Sequence, residues 1–234
     1  MTVADYHADM AEAASTRRRG RPALGESPVS EEQVLEAALG AFATYGYEGV
    51  SLRTLSRDLG VSHNLLHQKY GSKLGLWHAA VDHGFGPFVS TLTANDDSDD
   101  DSDDHTEADG LQRLRKFIWA FAFYSAAHPD LVRLINAEGS ISGERLDYIC
   151  ERFIAPVQDY FKPLYQMLVD EGTLRPVSVG TLFFAITSGS AAMFSNDALT
   201  TRLFGAQPLR SSNHAKHARD FADLLLDGLR TARN

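Results

Sequence analysis

Between Ser51 and Lys73 the chain reads SLRTLSRDLGVSHNLLHQKYGSK. Side chains able to read a base edge or neutralise a phosphate recur through it: Ser51, Arg53, Ser62, His63, Asn64, His67, Lys69 and Lys73. Arginine offers a planar fork that matches guanine O6 and N7, and the asparagine amide matches adenine N6 and N7. Arg53 and Asn64 are therefore the candidate base readers, and His63 can donate to a guanine acceptor. Ser51, Ser62, His67, Lys69 and Lys73 suit phosphates, helped by the amino ends of helices that begin there. Arg53 or Lys69 alone reads as an ordinary solvated charge; together on one face they point to nucleic acid. His63 and His67 have a spacing that can chelate zinc. No Cys or acid ligand stands near them, so no metal is assigned. The sequence has no Gly-rich phosphate loop, no Cys/His metal set and no Ser-His-Asp order anchored to a turn. His214 and His217 by themselves are not a site. No catalytic residue, enzyme activity or cofactor is expected.

Such side chains need two short helices braced against each other. Ser51 heads the first, with Leu52, Leu55 and Leu59 on its inner face. Gly60-Val61-Ser62 is a turn of the length a helix-turn-helix requires. Gly60 supplies a left-handed residue, Val61 fills the apolar wedge, and Ser62 caps the second helix. Leu55, Leu59, Leu66 and Tyr70 then face inward, leaving His63, Asn64, His67 and Lys69 to face a major groove. Ahead of this pair, Ser30 and Gln33 occupy the two positions of a capping box. Leu35, Ala38, Phe42 and Tyr45 follow as one apolar stripe, up to Gly46 and Gly49. A fourth helix starts at Ser72 with Leu74, Trp77 and Val81 inward. Gly84, Gly86 and Pro87 are expected to bend or break it.

The stretch resembles the DNA-binding domain of the TetR family. In that family a helix ending in G-(F/Y)-x-G precedes a Thr or Ser, then G-V-S-x-(G/P)-x-L-Y-x-(H/Y)-F and a lysine. Here the string is Gly46-Tyr47-Glu48-Gly49, Ser51, Gly60-Val61-Ser62-His63-Asn64-Leu65-Leu66-His67-Gln68-Lys69-Tyr70 and Lys73, within a match over about residues 28–82. His67 stands where the family has a phosphate-contacting tyrosine, and Asn64 where it has a small residue. The resemblance implies an all-α fold: an N-terminal three-helix helix-turn-helix DNA-binding domain, then a C-terminal helical ligand-binding and dimerisation domain. It implies a sequence-specific transcriptional regulator, a repressor released by an apolar or aromatic small molecule. A ligand-independent architectural protein of the nucleoid and a transcriptional activator are the alternatives left open.

DNA binding has to be reconciled with a formal net charge of −9. Residues 95–109, NDDSDDDSDDHTEAD, hold nine of the acids and no base, and without them 22 acids meet 22 bases. Residues 51–73 carry Arg53, Arg57, Lys69 and Lys73 against Asp58 alone, and phosphate neutralisation is a local matter. Upstream, Arg17-Arg18-Arg19-Gly20-Arg21-Pro22 resembles the core of an AT-hook. Arg17, Arg19 and Arg21 would then enter a minor groove; a generic basic tail is the alternative. The chain thus divides into a flexible basic arm (1–27), a DNA-binding domain (28–75) and a helical regulatory and dimerisation domain (76–234), the last containing a disordered acidic loop at 95–109.

From Leu111 the pattern is helical. FIWAFAFYSAA, residues 117–127, is apolar on every face and is expected to be buried all round. Helices near 130–142 and 144–170 follow, the second with Pro156 and Pro163 as kink points. Two more are expected near 178–195 and 214–231, on either side of a loop containing Gly205 and Pro208. A monomer would read few bases, so a homodimer on double-stranded DNA with a palindromic operator is expected. Ala185, Ser188, Gly189 and Ala192 would allow close helix approach, beside a stripe of Ala218, Phe221 and Leu225; the same residues could serve the monomer's own core. Of the many C-terminal aromatics, Trp119, Phe123, Tyr124, Phe153, Phe161 and Phe184 are candidates to line an effector cavity. Tyr124, Asn136, Glu138 and Arg145 are candidate polar contacts. The lone Cys150 suits a reducing compartment, no run of eighteen apolar residues offers a membrane span, and the first fourteen residues lack a signal peptide's apolar stretch. The expected location is cytoplasmic, associated with the nucleoid.

Overall fold

The structure, a computed structural model, describes residues 29–93 and 107–231. The basic arm at 1–27 and the acidic residues 95–106 lie outside the described residues. The described chain is helical, with one isolated bridge between Leu174 and Arg230 and no strand among the described residues.

Helix α1 (Glu31–Gly49) opens with the expected reciprocal cap: Gln33 N donates to Ser30 Oγ at 3.2 Å, and Ser30 N donates to Gln33 Oε1 at 2.9 Å. Val34, Leu35, Ala38 and Phe42 are buried along its inner face. Gly46, at φ 69°, turns the last part of the helix. Tyr47 stacks on Phe42 with ring centres 5.9 Å apart, whereas Tyr45 is 69% exposed. The stripe is therefore closed by Tyr47 and not by Tyr45 as expected, because the chain changes direction between them.

Helices α2 (Leu52–Asp58) and α3 (His63–Tyr70) form the braced pair. Gly60 has the left-handed φ of 68°, and Val61 is buried in the wedge. Ser62 Oγ accepts from Leu65 N at 3.1 Å. Ser51 stands at the N-cap of α2, but its side chain makes no capping hydrogen bond.

Helix α4 (Lys73–Thr93) is capped by Ser72, whose Oγ accepts from Gly75 N at 3.0 Å. It runs unbroken through Gly84, Gly86 and Pro87, against the expected break. The packing explains it. A Cβ on residue 84 would lie 2.5 Å from Leu131 Cδ2 and 3.0 Å from Leu39 Cδ2. Gly84 thus marks close helix approach instead of a stop, and Tyr124 Oη donates to its carbonyl at 2.8 Å. These tertiary contacts offset the local cost of a mid-helix proline, about 3 kcal/mol.

Helix α5 (Glu107–Ala127) begins inside the acidic run, so residues 107–109 are helical and not loop. Leu114, Phe117, Ile118 and Ala122 are buried, but Trp119 and Phe123 are each 36% exposed and stack on one another at 5.1 Å. The helix is central without being covered all round: the stripe one turn long at 119 and 123 is left partly open to solvent.

Helices α6 (Pro129–Glu138) and α7 (Glu144–Ile149) lead through a π-helical turn, Cys150–Ile154, into α8 (Ala155–Asp170). In that turn Ala155 N donates to Cys150 O, five residues back. The widening precedes Pro156, whose ring would otherwise press on the carbonyl one ordinary turn earlier. A second π turn, Ala185–Gly189, joins α9 (Val179–Phe184) to α10 (Ser190–Ser195). There Thr187 Oγ1 and Ser190 Oγ donate to the carbonyls of Phe183 and Ile186 at 2.9 and 2.6 Å, a competition that disturbs a helix ladder.

The stretch expected as a loop after residue 195 contains a further helix, α11 (Asp197–Phe204), ahead of the final helix α12 (His214–Leu229). Local propensity hid α11; a buried Thr200, donating to Met193 O at 2.7 Å, fixes it to the preceding helix. Ala218, expected in an intermolecular stripe, is fully buried with Ala222 and Leu226, because this face of α12 packs on α5 within the same chain. Two apolar cores result. The first joins α1–α4 to Leu131, Leu134, Ile149 and Phe153, and the second is built around α5, α8 and α12.

Candidate nucleic-acid interface and cavity

The turn at Gly60 sets α3 with Leu66 buried and His63, Asn64, His67 and Lys69 exposed. Ser51 and Arg53 are exposed at the start of α2, and Ser62 at the start of α3. Arg53 is left clear of Asp58, whose carboxylate is taken by Arg57 at 3.3 Å. The His63 and His67 rings lie 6.4 Å apart by centroid. Two of the candidate cations are already held by the protein. Lys69 Nζ pairs with Glu31 Oε2 at 2.9 Å, and this hydrogen bond raises its pKa. Lys73 Nζ sits 4.5 Å over the Tyr47 ring and donates to Glu48 O at 3.3 Å. Neither pairing is buried enough to prevent exchange for a phosphate oxygen. Arg17, Arg19 and Arg21 lie outside the described residues.

The cavity lies between α4, α5, α6, α8 and α9, with a volume of about 680 Å³. Phe85, Phe88, Phe121, Phe153 and Phe183 supply much of its wall. Both π turns border it, the first through Cys150 and Phe153 and the second through Thr187 and Ser188. Tyr124 is its spine. Its ring stacks on Phe88 at 4.5 Å and on His128 at 4.1 Å. Burial raises the Tyr124 phenol and lowers the His128 imidazole; a weaker field from Glu36 opposes the latter. Burial, reinforced by Asp147 and Glu151, pushes the Cys150 thiol up.

Of the six aromatic candidates, Tyr124, Phe153 and Phe184 line this cavity. Trp119 and Phe123 are on the outer stripe of α5 and do not reach it. Phe161 is packed in the second core beside Phe117, at 5.4 Å. Asn136 lines the cavity, but Glu138 and Arg145 do not: Arg145 Nε donates to both Glu138 oxygens, at 2.9 and 3.0 Å, with Glu138 only 5% exposed. Sequence reasoning missed His128, Ser140, Gln158 and Thr187 on the wall, and no spacing rule singles them out.

That closed pair also meets the end of α1. The Arg145 guanidinium lies 4.1 Å over Tyr47, the ring that carries Lys73 at 4.5 Å. Gly139, Ser140 and Leu146, neighbours of the pair in sequence, line the cavity. A second tie holds α4 to α7 and the first π turn: Tyr148 Oη and Arg152 Nε both donate to Asp82 Oδ1 at 2.7 Å. Burial and the Asp82 contact push the Tyr148 phenol up to about 12.

Comparison with known proteins agrees with this arrangement. Residues 34–80 match the family profile described as bacterial regulatory proteins, tetR family, and residues 109–225 match the tetracyclin repressor-like C-terminal domain. The HTH-type transcriptional repressor AcnR of Corynebacterium efficiens is 32% identical over 74 residues, 31% of this chain and 39% of that protein. The uncharacterized HTH-type transcriptional regulator YezE of Bacillus subtilis is 44% identical over 48 residues, 20% of this chain and 25% of that one. The matches thus span well under half the length of these relatives. Among solved structures, PfmR of Thermus thermophilus aligns with a TM-score of 0.63 at 24% identity, over 88% of this chain and 100% of its own. FadR of Bacillus subtilis, solved in complex with stearoyl-CoA, aligns with a TM-score of 0.60 at 12% identity, over 86% and 100%. At these identities the structures speak for the fold. With half of its length matched by the C-terminal profile and the reading helices by the N-terminal one, the chain belongs to the TetR family of transcriptional regulators.

Proposed function

We propose that this regulator is a repressor that binds a palindromic operator as a homodimer and releases it when a small molecule enters the cavity. The observation that carries the DNA half is the exposed set of Arg53, His63, Asn64 and His67, presented by two helices whose inner faces are buried. Arg53 and Asn64 read bases; Ser51, Ser62, His67, Lys69 and Lys73 hold phosphates; Arg17, Arg19 and Arg21 add affinity from the arm. Exposed Phe184, Leu199, Leu203, Phe204 and Leu224 on the C-terminal helices support pairing with a second copy. Release is supported by two contacts between the helices around the cavity and those that brace the reading pair: Arg145 on Tyr47 of α1, and Tyr148 and Arg152 on Asp82 of α4.

The test is selection of bound duplexes from a random pool, followed by gel retardation of the winning site. A palindromic consensus is expected. Arg53→Ala and Asn64→Ala should each cost about 1–3 kcal/mol and relax preference at one position of each half-site. Failure to retard any duplex at low salt, or unchanged affinity in both variants, defeats the proposal. A specificity ratio near one would point to an architectural protein instead.

A further inference from the structure

We infer that the cavity takes an uncharged ligand, with an apolar or aromatic body and a neutral hydrogen-bonding group such as an amide, ketone or hydroxyl. This rests on the effector reading of the cavity given above and goes on to name the ligand's class.

The argument starts from what the wall lacks. Among the described residues, no Asp, Glu, Lys or Arg lines the space. Its titratable groups are Tyr124, His128 and Cys150, and burial moves each towards its neutral form. Glu138, next to the wall residue Gly139, is held by Arg145, and Arg152, next to the wall residue Phe153, is held by Asp82, which also accepts from Tyr148. A carboxylate or phosphate drawn into this space would find no cation on the wall described above, and an ammonium would find no carboxylate there. An ion removed from water without a partner is strongly disfavoured, and phenylalanine faces recover only part of that for a cation.

What the wall offers is arranged by depth. Phe85, Phe88 and Phe153 are buried, whereas Asn136, Ser140, Gln158 and Ser188 are exposed and carry neutral amide or hydroxyl groups. An apolar body inside and a neutral polar group at the opening satisfies both zones. The volume of about 680 Å³ lies within the range usual for whole small-molecule ligands.

The experiment uses the full chain and Nile red, a neutral fluorescent probe of apolar cavities, at about pH 8. Competitors are matched in shape and differ in charge: dodecanamide against dodecanoate and dodecyltrimethylammonium, 2-acetylnaphthalene against 2-naphthoate, and lauroyl-CoA. The neutral member of each set should displace the probe at least about tenfold more tightly than its charged partners. Cavity-filling Leu146→Trp and Thr187→Trp should lower probe binding. Gln158→Arg, or Asn136→Lys as a second route, should bring dodecanoate or 2-naphthoate to within a few-fold of the neutral compound. The inference is overturned if a charged member or lauroyl-CoA matches or exceeds its neutral counterpart. It is likewise overturned if neither neutral compound displaces the probe, or if probe binding survives both fillings. Operator retardation in the same samples separates this from the effector reading. Neutral compounds that bind while the operator stays held would sink the release mechanism and leave the ligand class standing.

Discussion

Lys69 carries opposed demands. Its ammonium is tied to Glu31 at 2.9 Å, yet it lies on the exposed face of α3 where a phosphate is expected. An exposed ion pair of this kind is worth at most about 1 kcal/mol, so exchange for phosphate is easy. Replacing Lys69 by Met should lower the slope of log affinity against log salt by about 1, alike for operator and random DNA. Glu31→Gln should do the reverse weakly, strengthening both by less than about fivefold. Filter binding across a salt series reads both effects. Arg53, Asn64 and Lys69 were visible in the sequence because a turn of fixed length sets which positions face out. His128 and Gln158 were not, because a cavity wall is a gap between five helices and has no period along the chain. His128 adds a pH dependence. Its pKa is lowered in the folded protein, so it contributes stability that is fully present above the ordinary imidazole value and lost as pH falls through the lowered one. His128→Phe should therefore shrink the fall in Tm between about pH 7.5 and 5.5.

Between helices, the buried Glu138–Arg145 pair links α6 to α7 and, through the Tyr47 ring, to the end of α1. Arg145→Met would strand the Glu138 carboxylate at 5% exposure, and a loss of about 3 kcal/mol in urea unfolding is expected. Adding Glu138→Leu should return most of that stability, since two apolar side chains replace two ions. If the pair also transmits the state of the cavity, the double variant should bind both ligand and operator yet respond poorly to one when holding the other. A purely structural pair would leave that response intact. The sequence did not show the pairing: Glu138 ends α6 and Arg145 lies in α7, so no single helical period brings them together. It also misled at α4, where Gly84 and Pro87 look like local stop signals. What wins there is contact with Leu131 and Leu39 from other helices, which a window of neighbouring residues does not contain. By contrast the caps at Ser30, Ser62 and Ser72 were legible, because the group that satisfies each orphan N–H lies three residues away in the chain.

For the proposed dimer, the decisive quantity is the distance between two copies of α3, which one chain does not define. The side chains that would define it are those the single chain leaves uncovered. Leu224 is exposed on α12 although Ala218, Ala222 and Leu226 of the same helix are buried, and Leu203 and Phe204 are exposed on α11. An apolar residue so placed on a helix otherwise well packed suggests a surface covered by another molecule. Glutamate at 203 or 224 would put a charge into such a surface while leaving the inner faces of both helices untouched. Leu203→Glu and Leu224→Glu should therefore unfold at temperatures close to the parent at high dilution, where the parent is itself dissociating. At micromolar concentration both should sediment as monomers. Operator affinity should fall by far more than either Arg53→Ala or Asn64→Ala produces, because linking two heads raises the effective concentration of the second by orders of magnitude. Half-site affinity should not change. If both variants sediment as dimers and hold the full operator, the exposed leucines belong to no interface and the two-fold arrangement must be built from another face.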